Sequence, residues 1–403
     1  MGYPTLEKLF HMDASSDRFA AHDRLLHERL YGDSTFRTGI ELEHGELFLA
    51  VPRELTVITE QVLRRERRVS ALWRELPPIA LGAFIRSLIM DEVVASNEIE
   101  GVYSTRRQIE AALESHDHSA HTPFVEFAKL YLRLTDNPLP PTSKQAVRDI
   151  YDAVVADAIS PENLPGRTTF RTGPVEIVNQ HGRTIHKGVE PASKVEQLME
   201  QWLRLSLDEQ IPELYTAILC HFLFGYIHPF YDGNGRTGRY LLALHLSGPL
   251  SQPTVLSLSR IIAENKAAYY KAFDITERAL NGAEGTHFVL TMLELIAQAQ
   301  EELIIDLETK RDALRSLDEL IGRLGQSFDT RACETLFYAA QMHLYNALKE
   351  IRLDRLSDHL GVSKPTARKT LAALEGDGYL ERVSMRPPVY VLTTKGLELL
   401  QIG

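Results

Sequence analysis

Between two apolar helical runs lies the stretch His228-Pro229-Phe230-Tyr231-Asp232-Gly233-Asn234-Gly235-Arg236-Thr237-Gly238-Arg239. Gly233 and Gly235 permit left-handed backbone angles and the close approach of a ligand. The residues that follow them begin a helix, whose first N–H groups are free and whose dipole is positive at that end. The stretch therefore predicts a loop that enters a helix and binds an anion there.

Two common phosphate-binding motifs are excluded for this loop. No Lys-Ser or Lys-Thr pair follows the glycines, so the loop is not a Walker A motif. The preceding run is helical rather than a strand, which excludes the dinucleotide-binding fingerprint as well. The anion is therefore bound by a different arrangement of groups.

Four side chains of the stretch have the chemistry of a phosphate-transfer site. Arg236 and Arg239 are three residues apart, so they share a helix face and can both clamp phosphate oxygens. Asp232 supplies a hard oxygen ligand suited to Mg²⁺. His228 can accept a hydroxyl proton near neutral pH, since the ordinary pKa of histidine is about 6.5. A polar loop that only caps a helix would not need all these parts, so we expect an active site.

The stretch resembles the signature of the Fic family, His-x-Phe-x-Asp/Glu-Gly-Asn-Gly-Arg-x-x-Arg, and it matches each fixed position. The resemblance implies a mainly α-helical Fic core over roughly residues 80–300, with a short β-hairpin flap at 172–188 that positions the target. It also implies transfer of AMP from ATP to a Ser, Thr or Tyr hydroxyl of a target protein, with release of pyrophosphate. An exposed edge of the hairpin could align a target segment by strand addition.

Matching position by position, the resemblance assigns a role to each residue of the site. His228 deprotonates the target hydroxyl, and Asp232 holds Mg²⁺. The remaining signature residues bind the phosphates of ATP, with Asn234 and the backbone of Gly233 and Gly235 on the α- and β-phosphates, and Arg236 and Arg239 on the β- and γ-phosphates.

A second stretch upstream, Ser96-Asn97-Glu98-Ile99-Glu100-Gly101, is similar to the Fic inhibitory motif Ser/Thr-x-x-x-Glu-Gly/Asn. The resemblance implies that Glu100 pairs with Arg239. An arginine held bidentately by a carboxylate cannot clamp the γ-phosphate, so ATP would bind weakly or unproductively. The alternative is a solvated helix end stopped by Gly101, and the nearby signature favours the inhibitory interpretation.

Apolar residues recur at helical spacing along most of the middle of the chain, over 56–70, 79–100, 104–114, 124–134, 143–159, 193–207, 211–226, 237–246, 258–280 and 285–324. From these patterns we expect four segments, which are an N-terminal extension and cover (1–78), a Fic core with its inhibitory helix (79–300), a helical connector (301–330) and a C-terminal domain (331–403).

The C-terminal segment predicts a winged helix-turn-helix domain. Helices at 353–360 and 364–374 flank a turn, and strands at 379–383 and 389–393 follow. Its eight basic residues from Arg352 onward exceed the six acidic ones by only two. DNA binding, by a dimer, and protein contact are both compatible with this module.

Composition bounds the remaining possibilities. The 403 residues carry a net charge of -11, which excludes a polycation that coats nucleic acid. Two cysteines cannot form a disulfide framework, and we expect a reducing, cytoplasmic compartment. No signal peptide or membrane-spanning run is predicted.

The principal hypothesis is a self-inhibited, Mg²⁺- and ATP-dependent protein adenylyltransferase. A competing hypothesis is a transcriptional regulator that senses nucleotide with an inactive site, but a sensor needs no base and the intact His228 favours an enzyme. Two further hypotheses keep the same fold and site, and they are removal of AMP from a modified protein and transfer of a different phosphate-bearing group.

Overall fold

A computed structural model describes residues 2–115, 124–136, 138–156, 159, 163–178 and 184–402. The chain is mainly α-helical, as predicted. The helices described are, in chain order, α1 (Leu6–Met12), α2 (Arg18–Leu30), α3 (Arg53–Arg74), α4 (Pro78–Ile99), α5 (Arg106–Glu114), α6 (Val125–Arg133), α7 (Lys144–Val155), α8 (Ala192–Ser206), α9 (Glu213–Ile227), α10 (Asn234–Leu246), α11 (Gln252–Val255), α12 (Leu258–Glu264), α13 (Lys266–Glu277), α14 (Thr286–Leu324), α15 (Thr330–Tyr345), α16 (Leu353–His359), α17 (Lys364–Gly376) and α18 (Thr394–Leu400).

The strands form small antiparallel sheets. One hairpin pairs β1 (Thr35–Leu42) with β2 (Gly45–Ala50), and a second pairs β3 (Glu176–Val178) with β4 (Thr184–Lys187). A three-stranded sheet contains β5 (Ile351–Arg352), β6 (Leu380–Met385) and β7 (Pro388–Leu392), with β7 in the middle. The second hairpin lies within the flap predicted at 172–188, of which residues 179–183 lie outside the described residues.

The chain divides into two compact units. The first comprises Met1–Glu66 and Asp91–Glu301, and the second comprises Arg67–Met90 and Glu302–Gly403. Helices α3, α4 and α14 each contribute residues to both units. The four segments expected from the sequence remain a prediction. None of the helices in the described ranges is long and apolar enough to cross a bilayer.

Helix α9 is the central element of the first unit. It is apolar on every side and buried along almost its whole length, which is typical of a helix enclosed by other elements. It packs against α8 and α10, and the indole N–H of Trp202 donates to the Cys220 carbonyl at 2.8 Å. Because α10 is equally buried, the signature loop is held between two fixed helix ends.

One predicted helix is interrupted. The run 258–280 forms α12 and α13, which meet at Asn265. The backbone N–H of Asn265 donates to two carbonyls, that of Ile261 at 3.0 Å and that of Ile262 at 3.1 Å. Its side-chain amide donates to the Ile261 carbonyl at 2.9 Å. An asparagine side chain that competes for helix carbonyls in this way ends a helix that apolar spacing alone would continue.

In the second unit, α16 and α17 flank a turn in which Gly361 has a φ of +62° and Ser363 caps α17. Strands β6 and β7 follow as predicted, and β5 adds a third strand that the sequence pattern did not indicate. The hydroxyl of Ser87 donates to the Tyr345 carbonyl at 2.8 Å and accepts the Ala347 N–H at 2.7 Å. The helix-turn-helix order is therefore present, and the assignment as a winged helix remains a prediction.

Candidate active site

The signature begins at a strained turn. Helix α9 ends at Ile227, and His228 adopts a left-handed conformation with φ 53° and ψ 61° while its N–H donates to the Phe224 carbonyl at 3.0 Å. A non-glycine residue in this region is uncommon and is held there by its surroundings. Burial and the neighbouring His186 lower the pKa of His228 to about 3, so its imidazole is neutral near pH 7.

His186, on strand β4 of the flap, lies beside His228. The two ring centroids are 5.9 Å apart. The His186 ring is fixed at both nitrogens, with Nδ1 2.8 Å from Glu277 Oε2 and Nε2 3.1 Å from the Tyr226 carbonyl oxygen. The flap therefore holds an aromatic, polar side chain beside the predicted base.

The loop is closed by its own side chains. Asn234 Oδ1 accepts the Phe230 N–H at 2.9 Å, and Asn234 Nδ2 donates to the Phe230 carbonyl at 2.8 Å. The Phe230 ring is buried and stacks on Tyr151, with centroids 3.6 Å apart. Gly233 has a φ of +79°, and a Cβ there would lie 2.5 Å from Val155 Cγ1. Only glycine fits this position.

Arg236 is the group most suited to an anion. It is almost fully buried, and its Nε and Nη1 meet no hydrogen-bond acceptor among the described residues. Burial lowers its pKa, although Asp232 and Glu100 oppose that change. Buried polar groups are normally paired, so two buried N–H donors at a helix N-terminus fit a bound phosphate.

Asp232 is exposed, and its Oδ1 accepts the Gly233 N–H at 2.6 Å. In the described ranges, no group of three or more His, Cys, Asp or Glu side chains could hold a metal ion. A divalent cation at Asp232 would therefore share the carboxylate with phosphate oxygens and water, which is the usual coordination of Mg²⁺. The residues present fit that ion and its nucleotide.

Arg239 is buried and is held by the end of α4. Its Nη1 donates to Glu100 Oε1 at 2.8 Å, its Nε to Ser96 Oγ at 3.0 Å, and its Nη2 to the Ser96 carbonyl at 2.7 Å. Burial would lower its pKa, but the Glu100 carboxylate together with Tyr269 and Tyr270 opposes burial, and the pKa of Arg239 is raised. The Glu100 contact is a single hydrogen bond, whereas the sequence led us to expect a bidentate one.

The Glu100 carboxylate also covers Gly235. A Cβ built on Gly235 would lie 2.0 Å from Glu100 Oε1 and 2.5 Å from Glu100 Cδ. The structure thus brings Glu100, Gly235 and Arg239 together at the first turn of α10. A carboxylate here lies against the helix N-terminus, in the space that the phosphates of a nucleotide would use.

Sequence reasoning missed several residues around His228. Arg171 is buried and donates to the His228 carbonyl at 2.7 Å. The Tyr231 hydroxyl accepts the N–H groups of Thr172 and Gly173 at 3.2 and 2.9 Å, and hydrogen bonds with the Thr172 hydroxyl and with these N–H groups lower its pKa. Arg171 and His186 lie outside the signature, and although His186 falls within the predicted flap, only the folded chain brings both side chains to the site.

Comparisons with known proteins agree with this geometry. Residues 141–246 match the model of the Fic/DOC family. A Fic family protein from Desulfovibrio desulfuricans is similar in structure, with a TM-score of 0.53, 21% identity, and coverage of 86% of this chain and 97% of that chain.

Two further solved structures give weaker matches. Fic-1 from C. elegans matches with a TM-score of 0.45 and 20% identity, covering 76% of this chain and 90% of that chain. A Fic domain containing signaling protein from Bacteroides thetaiotaomicron matches with a TM-score of 0.43 and 17% identity, covering 60% of this chain and 95% of that chain. The fold of the chain is that of the Desulfovibrio protein.

The loop geometry predicts the effect of Gly233→Ala on stability. Gly39 also has a positive φ, of +67°, but a Cβ there would meet nothing within 4 Å, so Gly39→Ala is the matched control. We expect Gly39→Ala to lower the free energy of unfolding by about 1 kcal/mol through backbone strain alone. Gly233→Ala adds the clash with Val155 and should lower it by roughly 3 kcal/mol. Urea denaturation measures both, and equal losses would contradict the tight fit.

Proposed function

We propose that this chain, which belongs to the Fic family, transfers AMP from Mg-ATP to a Ser, Thr or Tyr hydroxyl of a target protein and inhibits itself through Glu100. Members of this family typically transfer nucleotide or phosphate-bearing groups to proteins. One observation carries the proposal. The first two turns of α10 carry two buried arginines, of which Arg236 has donors for an anion and Arg239 is held by Glu100, and a histidine with a lowered pKa lies at the other end of the same loop.

In the proposed reaction, the target hydroxyl oxygen attacks the α-phosphorus of ATP. The new oxygen–phosphorus bond forms as the bond from the α-phosphorus to the bridging oxygen breaks, and pyrophosphate leaves with that electron pair. The hydroxyl proton passes to a ring nitrogen of His228. A hydrogen bond from the imidazole to the Gly225 backbone orients the ring, and the neutral ring has one nitrogen free to accept the proton.

Charge on the phosphates is balanced by groups already in place. Arg236 offers two N–H donors that have no acceptor among the described residues, and the lack of a side chain at Gly235 leaves space above the helix start that the Glu100 carboxylate now fills. Asp232 would hold Mg²⁺, which supplies charge neutralisation on the phosphate oxygens. Arg239 would reach the outer phosphates only after it is released by Glu100.

Two further interpretations compete with this proposal. A nucleotide-sensing regulator would need the phosphate site but no base, and the half-buried, neutral His228 supports an enzyme instead. Removal of AMP from a protein, or transfer of a different phosphate-bearing group, would use the same signature loop and the same start of α10. Assays with a series of labelled nucleotide donors and with an AMP-modified protein separate these outcomes.

The first prediction of this proposal is that Glu100→Gly increases AMP transfer. Freeing Arg239 and the space over Gly235 should raise the rate about tenfold to a hundredfold, since a hydrogen bond to a charged group is worth roughly 1.5–3 kcal/mol. The measurement is transfer of labelled AMP, including self-modification. Glu98→Gly is the control, because Glu98 is exposed on the same helical turn. An unchanged or lower rate in Glu100→Gly would eliminate self-inhibition.

A second prediction separates the base from nucleotide binding. In the Glu100→Gly background, His228→Ala should reduce transfer by at least about a hundredfold, the range expected for loss of a general base. The affinity for ATP, measured by calorimetry, should stay within about twofold because the imidazole does not bind the phosphates. A parallel loss of ATP affinity would show that His228 has a different role.

The lowered pKa of His228 predicts the pH profile. Transfer needs the neutral imidazole, so activity is lost only as pH falls through the pKa of the folded state. That pKa lies well below the ordinary value of about 6.5. The rate of Glu100→Gly should therefore remain nearly constant from about pH 8 to pH 5.5. Enzyme held at the acidic pH and returned to neutral buffer controls for unfolding, and a half-maximal rate near pH 6.5 would contradict this assignment.

The C-terminal unit suggests DNA binding as an additional activity. Lys364, Arg368 and Lys369 are exposed on the first turns of α17, the helix that meets the major groove in helix-turn-helix proteins. Arg386 is also exposed, between β6 and β7. The small excess of positive charge predicts weak, salt-sensitive binding unless a dimer supplies a second copy.

This activity is tested by titrating the full chain with a pool of DNA duplexes at low and moderate salt. Arg368→Ala and Lys369→Ala should each weaken binding and reduce the salt slope by about one phosphate contact. Arg64→Ala, at an exposed position in the first unit, should change neither. If no duplex binds at low salt, or the α17 variants bind like the parent, the module contacts protein instead.

A further inference from the structure

We propose that Arg171 is a positioning residue that ties the base of the flap to the turn carrying His228, and so fixes where a target hydroxyl meets the imidazole. The inference rests on the proposed function. Here the flap means the described residues 172–178 and 184–189. Nothing in the signature or in the inhibitory motif includes Arg171.

The guanidinium of Arg171 is buried and its donors diverge to four carbonyls. Nε donates to His228 at 2.7 Å and Nη1 to Gly173 at 2.7 Å. Nη2 donates to Val189 at 2.7 Å and, less closely, to Ile227 at 3.3 Å. Two of these acceptors form the strained end of α9, and the remaining two are the first and last parts of the flap. One side chain therefore joins both.

Backbone hydrogen bonds reinforce this junction. The Arg171 N–H donates to the Pro229 carbonyl at 2.9 Å, and the Val189 N–H donates to the Ile227 carbonyl at 3.2 Å. A Cβ on Gly188 would lie 2.6 Å from Arg171 Nη2, so the flap backbone packs directly on the guanidinium. The flap base cannot shift without breaking several of these bonds.

An arginine is specifically required by this geometry. Its five N–H donors lie in one rigid plane, whereas a lysine ammonium is a compact group on a flexible stem and cannot span four separated carbonyls. The described acceptors of the Arg171 guanidinium are all neutral carbonyls. Burial lowers its pKa, and the Glu190 carboxylate only partly opposes that effect. Stability alone therefore does not explain the buried charge, which points to a geometric purpose.

The charge of Arg171 has a second effect that can be separated from its shape. It contributes to the lowered pKa of His228, together with burial and His186. Arg171→Met removes both the fork of donors and the charge, whereas Arg171→Lys removes the fork and keeps a charge nearby. A purely structural arginine would not produce different pH profiles in these two variants.

The test uses the full chain in the Glu100→Gly background, with labelled ATP and self-modification or a protein acceptor. Both Arg171 variants should lower kcat about tenfold to a hundredfold, as a misplaced acceptor requires, with ATP affinity within about twofold of the parent. The acid limb of the pH profile should move to higher pH in Arg171→Met, because a positive charge that lowers the pKa of His228 is removed. It should stay at the same pH in Arg171→Lys. Arg148→Met is the control, because Arg148 donates to the loop carbonyls of Gly166 and Thr168 rather than to the His228 turn or the flap.

Unchanged kcat in both variants, or a loss of ATP affinity that parallels the loss of kcat, would overturn the proposal. If the Glu100→Gly parent itself transfers no group from any nucleotide, the proposed function fails, and the positioning of His228 is then read by NMR of its ring. A displaced His228 signal in Arg171→Met but not in Arg148→Met would support the positioning role of Arg171. An unmoved signal would overturn it.

Discussion

The buried guanidinium of Arg239 is the constraint around which the site is arranged. A guanidinium removed from water must donate its hydrogen bonds to groups of the protein, and the end of α4 supplies three acceptors. One is the Ser96 carbonyl, which is available because the helix stops. In a longer helix it would accept the Glu100 N–H, but that N–H donates to Asn97 instead, at 3.1 Å. The contact between Arg239 and the Ser96 carbonyl therefore depends on where α4 ends.

The two arginines of α10 differ in how far their N–H donors are hydrogen-bonded. Arg239 is fully engaged, whereas Arg236 has two buried donors without acceptors among the described residues. A nucleotide would satisfy Arg236 directly but would have to displace Glu100 from Arg239 and from the space above Gly235. Only one hydrogen bond is lost in that exchange, from a carboxylate whose side chain is 30% exposed, while Ser96 keeps its two. A contact of this strength can be reversed by ligand binding.

Much of the site could be predicted from sequence because its chemistry is local. Residues 228–239 are contiguous, so their spacing alone indicates the turn, the helix start and the side chains that face an anion. The pairing of Glu100 with Arg239 spans 139 residues, and only the resemblance to a known motif indicated it.

Contacts that are set by tertiary packing have no such signal. Arg171 and strand β5 depend on partners far along the chain, and a break at Asn265 leaves the apolar spacing unchanged. Short strands and short helices are the elements whose own sequence carries least information, because neighbours rather than propensity decide them.

The hydrogen bonds within the loop show which of its polar groups hold the loop together and which can bind a ligand. Both ends of the Asn234 amide are bound to the Phe230 backbone, and the Tyr231 hydroxyl is bound to the base of the flap. These groups are already used to hold the loop, so any phosphate contact from Asn234 must use its second amide N–H. The groups that the loop does not consume are the second oxygen of Asp232 and the two donors of Arg236. Because the loop needs neither for its own shape, substrate can bind them without disturbing the turn that orients His228.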